Sequence, residues 1–150
     1  ADVLGLYMVK SLADQGELDV ELMDNYTTFL ASIFRSIRFG SASAHGRANL
    51  IRFNYFKEKG AFSRDADTGT YAVNPDAMVQ AMNDLSREIL TLQGDGEYEA
   101  VGKFVQEYGS MSDQLQADLD RLGKEGIPVD ITFEQGPSVL QGLEPAMAER

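Results

Sequence analysis

Three residues of this 150-residue chain could do chemistry together: His45, Asn49 and Arg52, spaced by four and then three positions. On a helix that spacing stacks an imidazole, an amide and a guanidinium on one face. Such a face can donate to a peptide carbonyl and grip a carboxylate through charge-assisted hydrogen bonds. Arg47 stands nearby, and the small residues Ala44, Gly46 and Ala48 leave room for another backbone or a substrate to come close. Taken alone, a single histidine on a helix is more often structural or merely exposed than catalytic.

These residues lie in the basic stretch of an acidic protein. Twenty-four Asp and Glu against thirteen Lys and Arg give a net charge of -11, with one His and no Cys or Trp. Between Arg35 and Arg64 stand seven basic residues and one acid, Glu58, so seven minus one leaves +6 there and -17 on the other 120 residues. Two readings fit: a cleft wall that attracts a carboxylate or phosphate, or a basic helix docking on acidic partners of its own fold. The acidic total argues against nucleic acid as a partner. A disulfide framework cannot form without cysteine, and a self-contained zinc site of the usual Cys/His kinds cannot be built from one histidine.

Other patterns read as structure. Asp65-Ala66-Asp67-Thr68-Gly69 has the wrong fifth position for a calcium loop, and Asp76 stands at the twelfth, so it reads as a hairpin turn. Gly94-Asp95-Gly96 joins two helices and reads as a helix stop, because a dinucleotide loop needs a strand entering it. The acids Asp113, Asp118, Asp120, Glu125 and Asp130 read as a solvated face. Zincin, phosphate-loop and nucleophile-elbow motifs do not occur in the sequence.

The elements that must position His45 follow from caps and periodicity. Val3, Leu6, Met8 and Val9 predict a first helix ended by Gly16. Its apolar, poorly capped start is expected of a chain cut from a longer protein, and it has neither a basic leader nor the length to span a bilayer. Leu18, Leu22, Tyr26, Phe29, Leu30, Ile33, Phe34 and Ile37 predict a second helix from Glu17 or Asp19 to about Phe39. Gly40 stops it, Ser41 or Ser43 caps a third helix from about Ala44 to Lys59, and Gly60 closes that one. Short runs within 61–73 predict a β-hairpin, and Asn74-Pro75 starts a fourth helix that runs to Gly94. Shorter helices over 98–108 and 113–122, an extended segment over 129–133 and an irregular tail from Gly136 complete a single domain. The fold class expected is mainly α, a bundle of about six helices with one small β-hairpin.

Phe34-Arg35-Ser36-Ile37-Arg38-Phe39-Gly40, Ala44-His45-Gly46-Arg47, Phe53-Asn54-Tyr55-Phe56 and Glu58-Lys59-Gly60-Ala61-Phe62 together carry a resemblance. So do Leu85-Ser86-Arg87-Glu88-Ile89-Leu90-Thr91-Leu92-Gln93 and Ile127-Pro128-Val129-Asp130-Ile131. The chain resembles the carboxyl-terminal part of zinc peptidases of the dipeptidyl-peptidase III family, in the branch with bacterial members and plant proteins fused to a Nudix hydrolase. The resemblance implies a two-lobed, mainly helical enzyme that removes dipeptides from the amino ends of short peptides. It implies zinc in the parent protein, held by two histidines of an H-E-x-x-x-H motif and a glutamate of an E-E-x-x-x-[DE] helix. Asp2 matches the last acid of that second motif, which places every zinc ligand before Ala1 and leaves no metal ligand in this chain.

By the same resemblance, His45 matches a histidine that contacts substrate and helps stabilise the transition state, a task suited to an N–H donor. Asp2 matches an acid that hydrogen-bonds a zinc-bound histidine and orients its ring. Arg47, Asn49 and Arg52 are candidate substrate-binding residues extrapolated from helix geometry. The isolated chain is expected to be inactive, and its partners to be the amino-terminal part of the same protein and short peptides, with no nucleic acid and no membrane. An apolar face left on the first two helices would pair two copies into a homodimer. Missing cysteines favour the cytoplasm without fixing a location. The alternatives are a non-enzymatic helical interaction module, whose binding would be salt-sensitive, or part of a Nudix fusion, whose R-E-x-x-E-E core does not occur here.

Overall fold

The computed structural model describes residues 1–128 and 133. Of the extended segment expected over 129–133 only Phe133 is described, and the irregular tail from Gly136 lies outside the described residues. Six helices and one hairpin follow in order: α1 (Asp2–Asp14), α2 (Leu22–Ile37), α3 (Ala44–Glu58), β1 (Phe62–Arg64), β2 (Tyr71–Val73), α4 (Pro75–Asp95), α5 (Tyr98–Tyr108) and α6 (Asp113–Lys124). The mainly α class and the hairpin expected from the sequence are both present.

Side-chain caps fix most helix starts, because the first backbone N–H groups of a helix lack partners within it. Ser43 Oγ accepts from the Gly46 N–H at 2.9 Å, Asn74 Oδ1 from Ala77 at 3.3 Å, and Ser112 Oγ from Leu115 at 3.2 Å. Pro75 occupies the first turn of α4, and Gly96 ends that helix in the left-handed conformation at φ 67°. α2 begins later than its apolar stripe suggests. The cap is Glu21, in an extended conformation, whose side chain accepts from Met23; Leu18 and Val20 precede the helix and are exposed.

α3 is the central helix. Gly46, Asn49, Leu50, Arg52, Phe53, Tyr55 and Phe56 are all buried, so much of the circumference of α3 faces protein, while Ala44, Arg47 and Glu58 mark an exposed side. α2 covers the helix with Tyr26, Leu30, Ile33 and Ile37 and α4 with Met78, Ala81, Met82 and Leu85, while α1 packs on α4 and α2 and buries Val3 and Leu6. Phe53 and Phe56 are fully buried, and truncating either to Ala would cost about 3–5 kcal/mol. The Phe53 ring meets Phe34, Phe62 and Tyr71 at centroid distances of 5.5, 5.0 and 6.2 Å, which ties the hairpin to α2 and α3. Asn54 Nδ2 donates to the carbonyls of Tyr108 and Ser110 at 2.7 and 2.8 Å, which holds the end of α5 against α3.

The hairpin is antiparallel, with Phe62 opposite Val73, Ser63 opposite Ala72 and Arg64 opposite Tyr71. Its turn is closed by Asp65 Oδ1, which accepts from the N–H of Asp67 and from both the N–H and the hydroxyl of Thr68 at 3.0, 2.7 and 2.8 Å. Those bonds hold the Asp65 carboxyl below its ordinary pKa. The carboxylate is thus engaged in the turn itself, as the hairpin reading of this segment requires.

Candidate functional site

His45 is the second residue of α3, two positions after the Ser43 cap, and its side chain is exposed. Gly46, next to it, has no room for a side chain. A Cβ there would lie 1.9 Å from the Gly40 carbonyl oxygen. The close backbone that Gly46 admits is the chain's own turn between α2 and α3. Substitution of Gly46 would therefore push on the turn that carries His45.

Asn49 and Arg52 lie below His45 on the same helix face, and both are buried. Asn49 Nδ2 donates to the His45 carbonyl at 2.8 Å, and Asn49 Oδ1 accepts from Arg52 Nη2 at 2.7 Å. Arg52 Nη1 donates to Asp2 Oδ2 at 2.5 Å, fifty residues away at the start of α1, and Arg52 Nε reaches the Ala48 carbonyl at 3.4 Å. The guanidinium also lies 5.8 Å from the centre of the Phe29 ring on α2, within cation–π range. One continuous set of contacts therefore runs from His45 through Asn49 and Arg52 to Asp2.

The electrostatics follow from the geometry. The hydrogen bond from Arg52, and then its charge, hold the Asp2 carboxyl below its ordinary pKa, with a smaller contribution from His45 in the same direction. The Arg52 side chain is 11% exposed and that of Asp2 is 63% exposed. A buried cation thus holds an open carboxylate. Asp2 Oδ1 has no hydrogen-bond partner among the described residues, so the acid keeps an oxygen that can accept from a further donor.

Arg47 is not part of this set. It is exposed and lines a groove of about 380 Å³ with Ala42, Ala44, Ala48, Ile51 and Val105, along another side of α3. The basic stretch as a whole is no open wall. Arg38 donates to the carbonyls of Ile127 and Pro128 at 2.5 and 3.1 Å, Arg52 pairs with Asp2, Lys59 with Glu58 and Arg64 with Asp118. Docking within the fold accounts for most of this positive charge. Arg47 and Lys57 remain exposed.

Asp118 corrects the expectation of a solvated acidic face. Its side chain is 6% exposed, and it accepts from Arg64 Nε and Nη2 at 2.8 Å each and from the Tyr71 hydroxyl at 2.7 Å. The bond from Arg64 outweighs desolvation and holds the Asp118 carboxyl at about 2. Burial first, and then the bond to Asp118, push the Tyr71 phenol up. The signal was in the sequence: Asp118 stands three residues after Leu115 and four before Leu122, on the apolar side of α6. By contrast Asp113, Asp120 and Glu125 are exposed, as expected.

No family model matches the chain. A protein named Nudix hydrolase 3, from Arabidopsis thaliana, is 39% identical over 133 residues, which are 88% of this chain and 17% of that protein. The solved structure of DPP III from Caldithrix abyssi superposes with a TM-score of 0.80 at 37% identity, over 87% of this chain and 25% of its own. The chain is dipeptidyl-peptidase III-like. A second dipeptidyl-peptidase III structure, from Corallococcus sp. strain EGB, gives the same TM-score of 0.80 at 39% identity, over 87% of this chain and 24% of its own. This chain therefore spans about a quarter of the length of the dipeptidyl-peptidase III structures it resembles. The Nudix name of the plant relative agrees with the fusion expected in this branch.

Among the described residues of this dipeptidyl-peptidase III-like chain, no group of three or more His, Cys, Asp or Glu side chains could hold a metal ion. No helix among these residues is long and apolar enough to cross a membrane.

Proposed function

We propose that this chain is the carboxyl-terminal part of a zinc-dependent dipeptidyl peptidase and supplies the histidine that faces the peptide. The observation that carries this reading is the match in fold and sequence to two dipeptidyl-peptidase III structures, at 37 and 39% identity, over 87% of this chain. In this reading the exposed His45 imidazole donates to the oxyanion that develops on the scissile carbonyl. Asn49 and Arg52 fix the helix turn beneath it, and Arg47 offers an exposed cation from the neighbouring side of α3. Zinc and its ligands belong to the remainder of the longer protein, and this chain alone has no peptidase activity. Tyr7, Met8, Leu18, Val20 and Met23, exposed on and between α1 and α2, are the surface which that remainder covers. In the isolated chain the same surface pairs two copies.

The test is to incubate the full-length protein with peptides of four to eight residues and identify the products by mass spectrometry. Release of dipeptides from the amino end is expected, with none from the 150-residue chain. Release of single amino acids, or no cleavage, contradicts the reading. The name of the plant relative favours a second activity in the longer protein, hydrolysis of a nucleoside diphosphate derivative by a separate Nudix domain. In the same preparation that activity would be insensitive to His45→Ala.

A further inference from the structure

We propose that Arg52 is a positioning residue of this site, acting through Asp2 and Asn49 to hold the start of α1 and the His45 turn of α3 in one arrangement, without touching the peptide. The proposal rests on the reading of His45 as the peptide-facing donor. Its own support is geometric. Arg52 points inward, 11% exposed, and each of its three nitrogens already has a partner: Nε the Ala48 carbonyl, Nη1 Asp2 and Nη2 Asn49. Phe29 on α2 lies 5.8 Å from the guanidinium, which packs Arg52 against the neighbouring helix.

The planar fork of Arg52 is what this junction requires. Two acceptors, on two different helices, must be served at once with fixed angles, which a guanidinium does and an ammonium on a flexible stem does not. Asn49 is equally directional: its oxygen takes the Arg52 bond while its nitrogen donates to the His45 carbonyl, so a rotation of Arg52 is transmitted to the first turn of α3. On α1, Asp2 is held by one oxygen only, and Oδ1 stays available on the open side. The arrangement thus ties an exposed carboxylate on α1 to the turn of α3 that carries the imidazole.

A double-mutant cycle in the full-length protein tests this, using Arg52→Gln, Asp2→Asn and the pair, with kcat, KM and Tm measured for each. Each single change is expected to lower kcat by about tenfold with KM within about twofold, as small misplacements of a reacting group do. The double variant is expected to be no slower than Arg52→Gln, because two residues acting through one contact are not additive. A rise in KM of about tenfold with kcat intact in Arg52→Gln would show that Arg52 binds the peptide directly, and would overturn the proposal. So would a double variant slower by the product of the two single effects.

Should Arg52→Gln fail to fold, Asp2→Asn and Arg52→Lys carry the test. Asp2 is exposed, so its variant folds, and full activity in it would overturn the proposal; Arg52→Lys is expected to fall between Gln and wild type in kcat. If the full-length protein cleaves no peptide, the functional reading fails but the positioning role is still measurable. The His45 ring signals in histidine-labelled protein, assigned by their loss in His45→Ala, are then expected to move in both Arg52→Gln and Asp2→Asn. Signals unmoved in both would sink the proposed coupling.

Discussion

Among the described residues, two arginine–aspartate pairs join distant parts of the chain, and they are built in opposite senses. At Arg64–Asp118 the acid is the buried partner, 6% exposed against 23% for the arginine, and both of its oxygens are occupied by Arg64 and Tyr71. At Arg52–Asp2 the cation is buried, 11% exposed against 63% for the acid, and one carboxylate oxygen has no partner among the described residues. A buried acid with both oxygens engaged holds structure, and here it pins the hairpin to α6 with help from Arg121, which donates to the Thr68 and Gly69 carbonyls at 3.1 and 2.7 Å. An open acid on a buried cation still has something to offer a donor from outside. Burial of the acid, more than the presence of an ion pair, separates the lock from the site.

That contrast can be broken most forcefully at Asp118. Asp118→Asn leaves Arg64 without its counter-charge and should lower folding stability by about 3–5 kcal/mol, read from denaturant unfolding. A loss below about 1 kcal/mol would mean that the pair is no lock. In the first turn of α3, Gly46→Ala forces a methyl into the Gly40 carbonyl and should cost about 2–3 kcal/mol while also shifting the turn that carries His45. A variant as stable as wild type would show that the turn yields freely.

Acid sharpens the comparison without mutation. The Asp118 carboxyl is held at about 2 in the folded chain, below its ordinary value of 3.8. Its ionised form therefore stabilises the fold at neutral pH, and that contribution, about 2 kcal/mol, is lost as pH falls from about 4 towards 2. In Asp118→Asn that part of the acid dependence should vanish. Smallest of all is the stability effect of Asp2→Asn: an exposed acid in an ion pair should contribute less than about 1 kcal/mol. Loss of several kcal/mol on that change would erase the distinction between the two pairs.

Most of the architecture was legible because local chemistry and the final fold agree. Ser43, Asn74-Pro75 and Ser112 announce helix starts that the structure places at α3, α4 and α6, and the turn at 67–69 sits in the hairpin. The start of α2 was misplaced because Leu18 extends the apolar period backwards although it lies outside the helix and is exposed. On the site, helical spacing alone put His45, Asn49 and Arg52 on one face, and the fold adds Asp2 to them. What the spacing could not convey is direction: whether Arg52 points out to a substrate or inward to α1 depends on tertiary packing around Phe29. Arg47, extrapolated with Asn49 and Arg52 from helix geometry, stands two residues after His45 and so well around the axis from it.

The central claim is that His45 acts on the peptide while the set beneath it holds the turn in place. It is tested most directly by kcat of His45→Ala in the full-length protein, measured with Tm. A fall of about 10²–10³-fold with Tm nearly unchanged is expected, the size seen when one oxyanion donor is removed. Full activity in that variant would contradict the account.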